Sequence, residues 1–132
     1  MGPRRDDAGS ATLELAVLTP AVVLLLGLVV LAGHVVSARQ VVSQAAEDAA
    51  RAATTARSQA GADSAAQAAV AADLAGTDCG SWSASVSGAL VPGATMTAAV
   101  SCTTSLGILP GSFTAANTAG AVVDVYRGVV GG

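Results

Sequence analysis

Hydrophobic and polar positions divide the chain into four textures. Residues 1–9 are short and charged, reading Met-Gly-Pro-Arg-Arg-Asp-Asp-Ala-Gly, and predict a leader that does not fold. From Leu15 to Val36, 22 residues carry no acid or base except His34, and Ala21 to Ala32 is almost purely aliphatic. At about 1.5 Å per residue this run spans roughly 33 Å, enough for a helix over 10–36 to cross the hydrocarbon of a bilayer. Pro20 removes one backbone donor, which predicts a kink or a local opening there.

The pattern then changes without stopping. Between Ser37 and Leu74 there is no proline, alanine is abundant, and only Gly61 interrupts a strongly helical composition. Gln40, Gln44, Glu47, Arg51, Thr54, Thr55 and Ser58 recur close to a helical period. Val42, Ala45, Ala46, Ala49, Ala53 and Ala56 lie on the opposite side. The membrane helix is therefore expected to continue over 37–75, with Glu47 and Arg51 as an i,i+4 pair. Its thin apolar face suits either contact with another subunit or packing on its own domain.

Gly76-Thr-Asp-Cys-Gly80 ends the helical region, and 76–132 reads as a small β-rich domain. Trp82 to Val86 and Thr95 to Thr103 alternate with a period of two, and Phe113 to Tyr126 forms a longer third run. Val91-Pro92-Gly93-Ala94 and Leu109-Pro110-Gly111 supply the turns. The fold class expected is α+β: one long N-terminal helix and a three-stranded antiparallel meander packed on its upper part, with Trp82 as the chief core anchor.

Composition narrows the function. Only 2% of residues are aromatic, so the core is small and built from Val, Leu and Ala. Net charge is −3, with six arginines scattered along the chain and no lysine. No basic patch offers itself to nucleic acid. No nucleophile has a base nearby, and no metal-ligand cluster or phosphate loop is present, so the expectation is a non-enzyme without cofactor, metal or small-molecule substrate. His34 reads as an interfacial side chain, and Asp124 and Arg127 as a surface cluster beside Tyr126 or a partner contact. Cys79 and Cys102, both beyond the apolar run, read as one disulfide; the alternative is a pair of free buried thiols. Closing that loop contributes roughly 3 kcal/mol in the chain-entropy account.

Glu14 is the most telling residue. It stands at the lip of the apolar run, five places beyond Gly9, where an unpaired charge costs several kcal/mol. Its bland reading is an acid facing the headgroups, and that of Gly9 a linker glycine. A charged leader, a glycine, a glutamate five residues on and a hydrophobic helix together resemble type IV pilin-like proteins. The resemblance implies a pilin-like fold and cleavage by a prepilin peptidase after Gly9, making Ser10 the new amino terminus. Glu14 then neutralises the α-amine of a neighbouring subunit, since two opposite charges near lipid are tolerable together. Pro20 would let the helix bend during assembly.

Gly9-Ser-Ala-Thr-Leu-Glu14-Leu-Ala-Val-Leu-Thr-Pro20 more closely resembles the opening of TadE-like proteins, minor pseudopilins of tight-adherence pilus systems. Ala45-Ala-Glu-Asp-Ala-Ala-Arg51 and Val123-Asp-Val-Tyr-Arg-Gly128 are similar to later stretches of that family. Leu15 stands where the major pilins of the system carry Tyr, which favours a minor role. The resemblance implies a single-pass protein of the cytoplasmic membrane with its C-terminal domain outside, in or at the base of a pilus. Its partners would be membrane lipid, the prepilin peptidase, other pilin subunits and the assembly machinery. The competing reading is an anchored or secreted small structural domain unrelated to pili. Val36-Ser37-Ala38 fits a signal-peptidase site, although cleavage there is expected to leave the alanine helix unattached.

Overall fold

The computed structural model describes residues 6–128. The elements run α1 (Asp6–Thr55), α2 (Gln59–Leu74), β1 (Ser81–Ser87), β2 (Thr95–Ser105), β3 (Ser112–Val122) and a 3-10 turn (Val125–Gly128). The chain divides into two units, one ending at His34 and the other starting at Val35. The fold is α+β, as the pattern predicts.

The first unit is the apolar part of α1. Its hydrophobic side chains, among them Leu13, Val17, Leu24 and Leu28, are exposed all round. The helix is long and apolar enough to cross a membrane. Its described part starts at Asp6, so residues 6–9, within the stretch expected to stay unfolded, are helical. The helix is continuous in assignment through Pro20. Beside the proline, the Thr19 hydroxyl donates to the Leu15 carbonyl at 2.6 Å.

In the second unit the helical region is two helices, not one. The break falls at Ala56–Ser58, and Gly61, the visible interruption in the sequence, lies inside α2. Two threonines loosen the end of α1: the Thr54 and Thr55 hydroxyls donate to the carbonyls of Arg51 and Ala52. Ser58 then starts α2 as an extended N-cap, its Oγ accepting from the Gly61 N–H at 3.1 Å. A three-residue link makes α1 and α2 an αα-hairpin.

The strands form a meander in the order β1-β2-β3, antiparallel throughout. Its register sets Trp82, Ala84 and Val86 beside Met96, Ala98, Val100 and Cys102, then Phe113, Ala115 and Ala119, on one face. That face packs on the hairpin: Val42, Ala45, Ala46, Ala49, Ala50, Ala66, Val70 and Leu74 share a core with Ala98, Val100, Cys102 and Ala115. The alanine face of α1 is thus covered by its own domain, which decides between the two readings of that face. It also means that the alanine helix stays attached without its apolar extension. Few large side chains are fully buried; Val42, Val70, Met96 and Val100 lead them. Each contributes roughly 1.5–3 kcal/mol, so a cross-link worth about 3 kcal/mol matters.

Trp82 does not anchor this core. It lies on the packed face but is 39% exposed, because β1 is an edge strand and only Ala84 and Val86 reach under the helices. The third strand stops at Val122. Tyr126 belongs to the exposed 3-10 turn, where its N–H bonds the Asp124 carboxylate at 2.9 Å. Gly88 follows β1 at φ +124°, and a Cβ there would stand 2.6 Å from the Thr95 carbonyl oxygen. Only glycine fits that approach. The expected Val91–Ala94 turn is present, with Ala94 N–H bonded to Val91 O at 3.0 Å and Gly93 at φ +81°.

Candidate functional site

Gly9, Ser10 and Glu14 fall on the first turns of α1, and all three are exposed. Ser10 and Glu14 are one turn apart and so share a helix face, with Leu13, Val17 and Leu18 around them. A carboxylate there is flanked by apolar side chains along the helix and by a serine hydroxyl one turn before it. Pro20 follows on the same helix, exposed. Together they form a polar spot at the start of the apolar stretch of α1.

Cys79 and Cys102 belong to the second unit, where they are bonded to each other. Cys102 lies in β2 and Cys79 in the link from α2 to β1, so the bridge ties the end of the helical hairpin to the middle strand. Around it, Thr104 Oγ1 donates to Asp78 O at 2.7 Å and Gly80 N–H to Thr103 O at 2.9 Å. The α2 terminus is closed by Thr77, whose hydroxyl donates to Leu74 O at 2.6 Å.

Three contacts have no counterpart in the sequence reading. The Arg39 guanidinium lies 5.7 Å from the centre of the Phe113 ring. The Asn117 amide donates to Ser43 Oγ at 2.8 Å, so two contacts join α1 to β3. The third is an acid pair between α1 and α2. Burial pushes the Asp73 carboxyl above the ordinary carboxylate range, and the neighbouring Asp48 charge raises it further. Asp73 Oδ2 is buried without a hydrogen-bond partner. The pattern carried a hint, since Asp48 adjoins the apolar positions Ala45 and Ala49. Among the described residues no group of three or more His, Cys, Asp or Glu is placed to hold a metal ion.

The fold and these positions define a class: a chain with a membrane-length N-terminal helix that runs into a disulfide-bonded α+β domain. Within it, residues 9–51 match the family model described as TadE-like protein. The match covers about a third of the chain, and the similarity is to that family over this segment. That segment contains Gly9, Ser10, Glu14 and Pro20, together with the α1 half of the alanine core. No curated protein and no solved structure matches the chain.

Proposed function

We propose that this chain is a minor pilin or pseudopilin-type subunit in the assembly of tight-adherence pili, anchored and assembled through α1. The observation that carries the reading is the TadE-like match, which begins at Gly9 and takes in Glu14 at the edge of the exposed apolar helix. In this reading a prepilin peptidase cuts between Gly9 and Ser10. The new α-amine of one subunit meets Glu14 of another, so neither charge stands alone near lipid. The second unit lies on the extracytoplasmic side of the cytoplasmic membrane, where its cysteine pair stays oxidised. The role is structural, with no reaction catalysed by this chain.

The test is pilus assembly in cells carrying Glu14→Gln, together with the amino-terminal sequence of the membrane-bound wild-type chain. Assembly lost and a chain starting at Ser10 are the expected results. Normal pili with Glu14→Gln overturn the pairing. A mature chain in the medium starting at Arg39 establishes a secreted domain instead.

A further inference from the structure

The second unit carries an apolar tip that its own core does not use. Between β2 and β3 the chain reads Leu106-Gly-Ile-Leu-Pro-Gly111, closed at its base by the Leu106 N–H donating to the Gly111 carbonyl at 3.2 Å. Ile108 is fully exposed and Leu109 is 53% exposed. No charge holds this tip in water: from Cys79 to Val123 the sequence contains no Asp, Glu, Lys or Arg. Exposed apolar residues are ordinary when scattered singly. Position is what marks these two.

Two contacts fix the end of the unit that the tip occupies. Asn117 on β3 reaches Ser43 on α1, and Phe113 lies 5.7 Å from the Arg39 guanidinium. From Asn117 to Phe113, and from Ser43 to Arg39, each element is followed toward its start, so α1 and β3 run the same way. The tip precedes β3 and therefore lies at the end where α1 enters the unit. Arg39 is three residues past Val36, the last of the apolar run, and so within about 10 Å of it even along fully extended chain. Trp82 stands at this end too: it pairs with Cys102, which pairs with Ala115, two residues from Phe113. Arginine and tryptophan are the side chains that gather at a membrane–water boundary. The turn at 91–94 lies at the far end, where the Gly93 N–H bonds the Val123 carbonyl, and Val91 is as exposed as Leu109. We propose that the 106–111 tip dips into the leaflet from which α1 emerges, resting on the reading that α1 crosses the membrane. This second lipid contact, about 5–10 Å deep, holds the second unit at one angle to the bilayer.

The test uses the full chain in lipid nanodiscs holding one copy each, so that no partner subunit can shield it. Single added cysteines meet a charged, water-soluble maleimide. Ile108→Cys is expected to react roughly tenfold more slowly than Val91→Cys, because hydrocarbon excludes a charged reagent, and Leu25→Cys not at all. Adding Leu109→Asp to Ile108→Cys is expected to restore the Val91→Cys rate. Resistance of the Cys79–Cys102 pair to alkylation shows that each variant is folded. If Leu25→Cys is protected while Ile108→Cys reacts no more slowly than Val91→Cys, the proposal falls and the membrane anchor stands. A freely reacting Leu25→Cys removes the anchor, and the proposal with it. Protection of Ile108→Cys that the aspartate leaves unchanged also overturns it.

Discussion

Two stretches of one helix, α1 before His34 and α1 after Val35, solve opposite problems. The first carries large aliphatic side chains on every face and covers none of them; the second carries alanines on one face and covers nearly all. Leucine and valine suit a helix surrounded by apolar solvent, where bulk on each side is an asset. Alanine suits a helix that must approach a sheet and another helix closely. Hydrophobicity alone does not separate the two stretches; side-chain size and periodicity do.

That contrast can be broken from either side. The largest effect is expected from charge in the first stretch: Leu25→Arg should cost about 2.5–3.5 kcal/mol of membrane insertion. Carbonate extraction would then release the chain, while the second unit keeps its circular dichroism. Next, Cys79→Ala should lower the stability of the second unit by roughly 3 kcal/mol, measured by chemical denaturation in detergent. A similar loss is expected from Gly88→Ala, since the added methyl meets the Thr95 carbonyl; an unchanged midpoint would contradict the geometry. Size is tested by Ala46→Leu, which should destabilise by about 1–3 kcal/mol through overpacking. Ala21→Leu in the first stretch should leave the same midpoint unmoved.

The smallest effect concerns Asp73. Its folded-state carboxyl binds a proton more readily than the unfolded chain does, so ionisation at neutral pH weakens the fold. Stability should rise as pH falls through the raised value and level off below the ordinary carboxyl value of 3.8. Asp73→Asn should be more stable than the wild type at neutral pH, with the gain vanishing at the acid end. Thermal melts across that range check the sign.

The sequence announced some of this and concealed the rest for physical reasons. The membrane-length run, the three strands and their turns were legible because each has a strong local period or a proline-glycine pair. The helix break was not, because Gly61 drew attention while the interruption comes from Thr54, Thr55 and the capping Ser58. Trp82 misled because size suggests burial, yet its place on an edge strand decides its exposure. The placement of Ser10 and Glu14 one turn apart on α1 was readable by spacing. The Asp48–Asp73 pair depends on a contact between two helices, which no local pattern specifies.

Trp82 has one more consequence. As the sole indole, it sits opposite Cys102 in the strand register, next to the sulfur bridge and partly open to water. A disulfide quenches the emission of a neighbouring indole, so the protein contains its own optical gauge of oxidation. Fluorescence from this single residue should brighten on reduction, reporting the redox state of the domain without any attached dye.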